Sequence, residues 1–383
     1  MTYKISILTP VHISSGNKNA CFLYHPDKND HFNCYRIEDL LQFIPPQKLL
    51  ELQPDNASNN GKKDIIKLFN NYINYNQLKP QYFLFYKFKP FSKDVTEQVK
   101  SLNKPYIPGS SIKGAIMNAI IFNLLNDNKE KIKEFLINFN RNLSKNFEKE
   151  LLSYLFGKDF EEIFKLFSSC ICCEDIFFDT MILCDSDSDR LNMKNNNHKK
   201  SQEFSKFECI DNLQEKKTNL FMIDQTRQKV FLNKYSNKEI IKKLRIFFNK
   251  RNIIIACRNY FRTVIKDDKK YFIEDQFDYF KESDFEGRDQ IINFLNTISF
   301  DNKDICYLRI GNSTNYFYKS ISIFIKKNFY EFYDNNFSLF APIRLGKKNS
   351  PKADTMPKTR IIFKYDSECY LPGFIKVEPY EEN

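Results

Sequence analysis

Two serines, a lysine and two glycines crowd the start of an apolar repeat in "KPYIPGSSIKGAIMNAI", residues 104–120. Ile112, Ala115, Ile116, Ala119, Ile120 and Leu124 fall at the spacing of one buried helix face. Pro108 and Gly109 break the chain ahead of them, and Ser110 or Ser111 stands where a side chain can accept from an amide two or three residues on. A helix start leaves N–H groups unsatisfied and carries about half a positive charge, so with Lys113 beside it the chemistry on offer is anion binding, phosphate above all. An ordinary capped helix uses the same residues. Two sharper readings fail: a Walker loop needs G-x-x-x-x-G-K-[ST], and here the lysine precedes the second glycine. Ser110 and Lys113 satisfy S-x-x-K, but S-D-N and K-T-G are absent.

Other residue types invite other chemistry. Cys21, His25, His31 and Cys34 in "CFLYHPDKNDHFNC" suggest zinc, yet the segment also reads as a hairpin around "PDKND". Pairing His25 with His31 would put Cys34 on the face opposite the other three, and a tetrahedral site needs all four converging. No metal and no cofactor is expected. Of the four histidines, His12, His25, His31 and His198, only His12 falls beside the segment expected to meet a ligand. It is the candidate if the protein were a metal-independent nuclease. Near the C-terminus, Arg344, Lys347, Lys348, Lys352, Lys358, Arg360 and Lys364 face a single acidic residue, Asp354, a composition suited to tracking phosphates or to a solvated tail.

The whole chain bounds these readings. Its 383 residues suffice for two or three domains, and 42% hydrophobic content with 39 Phe marks a globular protein. A formal charge of +11 points toward a polyanion such as nucleic acid. Ten cysteines, together with a start that reads as a strand and not as a signal peptide, predict free thiols and a cytoplasmic protein. No apolar run approaches a membrane span.

The elements that must position these residues follow from periodicity. "YKISILTP" predicts a strand, "VHISSGNKN" a loop, and "ACFLYH" with "HFNCYRI" a hairpin. Residues 40–167 read as mostly helical, interrupted by the strand "QYFLFYKFKP". Strands return at "CICCEDIFFDTMIL" and "NLFMIDQT", flanking a polar, Asn-rich loop or long hairpin. One long helical pattern covers "KEIIKKLRIFFNKRNIIIACRNYFRTV" and another "DQIINFLNTI". "DICYLRIG", "RIIFKY" and "FIKV" read as strands, "NSTN" as a turn and "YFYKSISIFIKKNF" as a helix. Strand, small-residue loop and lysine-bearing helix thus occur twice, which predicts a duplicated α+β unit.

Taken together, "LTPVHISSG", "YIPGSSIKGAI", "LFGKDFEEIFKLFSSCICCEDIFFD" and "YLPGFIKV" resemble the RAMP superfamily of CRISPR proteins. "LRIGNSTNYFYKSI" and the C-terminal "PKTRIIFKY" and "LPGFIKV" look most like the Csm-type subunit that caps the crRNA 3′ end of type III-A effector complexes. The resemblance implies two ferredoxin-like (RRM-like) units: residues 1–185 with a helical insertion at about 40–167, a mobile loop at 186–205, and residues 206–383. It implies that His12, Ser14 and Ser15 in the first loop, Gly109, Ser110, Ser111 and Lys113 at the helix start, and Arg309 and Gly311 in the later loop lie near RNA. With the basic residues Arg344, Lys347, Lys348 and Arg360 they make up the expected RNA-binding set. The family often carries arginine four residues after the lysine, where this chain has Met117. The implied partners are crRNA, the sibling RAMP backbone subunit and the small helical subunit of the Csm complex, with no membrane. The backbone sibling resembles a nuclease with an aspartate in the loop after its first strand. "SSGNKNA" has no carboxylate, so the expectation is a non-catalytic subunit. The alternatives are a crRNA-processing endoribonuclease and a general single-stranded RNA binder.

Overall fold

The alternation in "TYKISI" gives strand Thr2–Ile7 two unlike faces. Tyr3, Ile5 and Ile7 are fully withdrawn from solvent on one, while Lys4 on the other reaches Glu215 at 3.2 Å and Glu378 at 2.9 Å. The structure, a computed structural model, describes residues 2–27, 30–50, 59–86, 93–139, 146–190, 205–273, 287–312, 321–336, 339–340 and 359–380. Thr2–Ile7 lies inside a four-stranded antiparallel sheet, flanked by Glu215–Thr218 on one side and Phe374–Tyr380 on the other, with Cys306–Arg309 at the far edge. Ile5 stands opposite Val377, and Leu308 opposite Ile375. The sheet therefore joins the first strand of the chain to its last.

Helices Gly109–Asn126 and Lys250–Ile273 pack on each other in the same apolar core as Tyr3, Ile5 and Ile7. The first buries Ile112, Ile116, Ile120 and Leu124, as its spacing predicts, and also Met117, Phe122 and Leu125. Such a helix, apolar nearly all round, belongs inside a protein. Each fully buried Ile or Leu contributes roughly 1.5–3 kcal/mol. The two helices are further tied by Asn123, whose amide donates to the Ala256 carbonyl at 3.0 Å and whose oxygen accepts from Asn259 at 3.1 Å. The Phe122 and Tyr260 rings meet at 5.3 Å.

A second, mixed sheet runs Ser14–Asn19, Val95–Gln98, Ser205–Ile210, Met181–Arg190, Tyr82–Phe85, His31–Cys34 and Tyr24–Pro26, with Thr359–Tyr365 also pairing Met181–Arg190. Both sheets thus draw strands from both halves of the chain, and the fold is α+β. Met181–Arg190 and Ser205–Ile210 are antiparallel neighbours, so residues 186–190 and 205, expected within a mobile loop, are strand; the polar stretch between them lies outside the described residues.

Several elements differ from expectation. "SSGNKN" is an edge strand and not a loop. Residues 40–167 hold strands Val95–Gln98, Lys100–Ser101 and Lys104–Ile107 besides Tyr82–Phe85. The long helical pattern after residue 238 is split: Glu239–Arg245 passes into a tight turn at Ile246–Phe248, and the Asn249 side chain accepts from the Arg251 amide at 2.9 Å to start Lys250–Ile273. The first hairpin pairs His25 with Asn33, not with His31. Among the described residues, no helix is long and apolar enough to cross a membrane.

Candidate nucleic-acid interface

Three segments far apart in sequence interlock where the first strand ends. The Phe374 amide donates to Thr9 Oγ1 at 2.9 Å, the Gly373 amide to the Pro10 carbonyl at 3.0 Å, and the Ile310 amide to the Gly373 carbonyl at 2.9 Å. The circuit closes as the Asn312 amide donates to the His12 carbonyl at 3.1 Å. Gly311 sits at φ +107°, and a Cβ there would stand 2.4 Å from the His12 carbonyl oxygen. Only glycine meets both conditions, so backbone packs directly on backbone.

The start of helix Gly109–Asn126 is built differently from expectation. Pro108 occupies the cap position and no side chain caps the helix. The Gly109 amide instead donates to Asp175 Oδ1 at 2.7 Å, so a carboxylate from the neighbouring segment already meets one of the orphan donors. Gly109 is also required by contact, since a Cβ would lie 2.2 Å from the Cys173 carbonyl oxygen. Ser110 is exposed, and Ser111 and Lys113 are half-buried.

A cleft of about 230 Å³ opens between this helix, helix Lys250–Ile273 and the Gly311 segment. Ser111, Gly114, Ala115 and Asn118 form one wall, Tyr260 and Phe261 another, and Ile13 with residues 309–312 a third. Three of the expected segments therefore converge: the chain leaving the first strand, the helix start and the Gly311 loop. Asn118, Tyr260, Phe261 and Asn312 complete the cleft. The sequence gives no sign of Tyr260 or Phe261 as site residues, because both sit in an unbroken helical repeat.

The arginines lie deeper. Arg309 is 6% exposed; its Nη1 donates to Asp268 at 2.8 Å, its Nε to the Pro372 carbonyl at 3.2 Å, and it stacks on Phe374. Arg360, 1% exposed, donates to the other Asp268 oxygen at 3.0 Å and to Asp267 at 3.3 Å. Lys326 pairs with Asp267 at 2.8 Å, and burial lowers its pKa while Asp267 opposes the change. These cations hold the frame together, and of the three only Arg309 borders the cleft, with its charge already met by Asp268. Arg344, Lys347 and Lys348 lie outside the described residues.

The first loop is likewise engaged. His12 is 1% exposed and donates from Nδ1 to the Glu208 carbonyl at 2.7 Å. Burial, reinforced by the charge of Lys100, lowers its pKa to about 4, so the ring is neutral at pH 7. Ser14 Oγ accepts from the Gly16 amide at 3.0 Å, and Ser15 Oγ donates to Glu97 at 2.8 Å. A carboxylate therefore stands beside this segment after all, supplied by the neighbouring strand. Burial disfavours the charge on Glu97, but Lys100, Ser15 and Asn17 outweigh it and hold its pKa below the usual value. Beneath lies Glu208, fully buried, accepting from Tyr24 at 2.9 Å, Tyr82 at 2.7 Å, the Gln98 amide at 3.0 Å and Lys100 at 2.5 Å.

The four candidate zinc ligands do not converge. Cys21 and Cys34 are buried, His25 stacks on Tyr75 at 4.1 Å, and His31 packs against Phe83 and Phe85. Among the described residues, no group of three His, Cys, Asp or Glu is placed to hold a metal ion.

The sequence profile of the RAMP superfamily matches residues 4–318, and the chain belongs to that superfamily. Its fold is similar to a chain in the cryo-EM structure of a Csm–crRNA–target RNA ternary complex from a type III-A CRISPR-Cas system, at 18% identity and TM-score 0.65, covering 99% of this chain and 100% of that one. It is also similar to the crystal structure of Csm5 from T. onnurineus, at 15% identity and TM-score 0.57, covering 97% and 99%. Among curated proteins, none matches by sequence.

Proposed function

We propose that the chain is an RNA-binding subunit of a type III-A Csm effector complex, gripping the 3′ portion of a crRNA and ending the filament of sibling subunits. The observation that carries this reading is the convergence of Ile13 after the first strand, Ser111 in the first turn of helix Gly109–Asn126 and the Gly311 loop around one cleft. The full-length likeness in fold to a chain of a Csm–crRNA–target RNA complex agrees with it. Two helices over one face of a four-stranded antiparallel sheet also suit a ferredoxin-like unit. The sibling RAMP backbone subunit and the small helical subunit of the Csm complex are the protein partners of this reading.

The same reading makes the subunit non-catalytic. General acid–base cleavage needs a group within reach of the RNA, and His12 is enclosed, neutral and bonded to backbone. The test is filter binding with a repeat-derived single-stranded RNA over a salt series, followed by a gel of the recovered RNA. Expected are intact RNA and a log–log salt slope of about −2 or steeper, since each phosphate contact on a single strand contributes about −0.7. A specific cut in EDTA would overturn the non-catalytic reading, and absence of binding would overturn the whole.

A further inference from the structure

Tyr260 lines the cleft, is 3% exposed, and its hydroxyl has no hydrogen-bond partner among the described residues. A buried hydroxyl without a partner is costly, and phenylalanine, which the next position carries, would fill nearly the same space without that cost. Gly114, on the facing helix, is the complement: it is exposed, and a Cβ there would meet nothing within 4 Å, so the wall is left open where any side chain would narrow it. The walls between are apolar at Ile13, Ala115, Phe261 and Ile310, with Ser111 and Asn118 supplying polar edges. Arg309 also lines the cleft, but Asp268 already meets its charge. Apolar walls, scattered hydrogen-bonding groups and matched charge suit a flat neutral ring better than a phosphate.

We propose that this cleft receives a single unstacked nucleobase of the bound RNA, with Tyr260 hydrogen-bonding its edge and Ile13 and Phe261 covering its faces. The proposal rests on the RNA-binding reading and adds to it a base-holding subsite. A hydroxyl both donates and accepts, so the cleft holds an edge without demanding one base.

The test compares a single-stranded oligouridine with an abasic ribose–phosphate strand of the same length, for the wild-type chain, Gly114→Phe and Tyr260→Phe. Wild type should prefer the base-bearing strand, and Gly114→Phe, which fills the cleft, should cut that preference about tenfold. A urea midpoint within error of wild type shows that the variant is folded. Tyr260→Phe should lower the preference severalfold with an unchanged or higher Tm, since it removes an unpaired buried group. An unaltered preference in Gly114→Phe, or an equal loss on both strands, would overturn the base subsite and leave the RNA-binding reading standing. No binding of either strand by wild type would overturn both.

Discussion

Arg309 donates to Asp268 at 2.8 Å with both side chains out of contact with solvent. Asp268 gives its other oxygen to Arg360 at 3.0 Å, so one carboxylate from helix Lys250–Ile273 ties a strand of the four-stranded sheet to a strand of the large one. Residues that look like a cationic surface in sequence are here a buried brace beneath the cleft. On the proposed RNA-binding function, the outer contact with RNA then falls to the helix start and to backbone groups of the interlocked loops.

Asp268→Asn removes the charge that both guanidiniums share. Breaking a buried ion pair from one side costs about 3–5 kcal/mol. Urea unfolding should show a loss of that order, since Arg309 loses its carboxylate partner while Arg360 keeps only Asp267 of the two. A midpoint within error of wild type would remove the brace from this account.

Gly311→Ala forces a Cβ toward the His12 carbonyl at a φ that disfavours side chains. A loss of roughly 2–3 kcal/mol is expected, from backbone strain plus displacement of the His12 segment. Thermal unfolding reads the stability, and RNA affinity should fall with it as the cleft wall shifts. An unchanged Tm would show that the loops do not pack as described.

Lys113→Glu reverses a half-buried charge at the helix start. Affinity for single-stranded RNA should drop about tenfold, irrespective of sequence, and the salt slope should shrink by about 0.7 or more. Fluorescence anisotropy at two salt concentrations measures both. Equal affinity and an equal slope would clear Lys113 of any RNA contact.

His12 titrates near pH 4 when folded, against about 6.5 when unfolded. The unfolded chain therefore binds the extra proton as pH falls below about 6.5, and stability is lost from there down to about pH 4. The wild-type chain should lose roughly 2 kcal/mol between pH 7 and pH 5 from this group. His12→Asn can still donate to the Glu208 carbonyl but does not titrate. Its stability should be flatter over that interval in urea melts, and a matching pH dependence in both proteins would assign the effect elsewhere.

Apolar periodicity was enough to place strand Thr2–Ile7, the buried face of helix Gly109–Asn126 and the terminal strand carrying Phe374, because each has one face in the core. Ser14–Asn19 and Glu215–Thr218 escaped it, being edge strands whose side chains are mostly polar on both faces. The glycines of the site were legible as punctuation, yet their partners were not: Gly109 against Cys173 and Gly311 against His12 are contacts between distant segments. The same distance hid Asp175 at the helix start and Asp268 between the arginines. Met117 was legible as apolar, and it is buried in the core.

Purifying the tagged chain from cells that carry it and sequencing what comes with it should yield discrete short RNAs sharing one repeat-derived end, together with several partner proteins, and loss of the RNA when Lys113 is changed to Glu. Heterogeneous RNA without partner proteins, or no RNA at all, would contradict the proposed function.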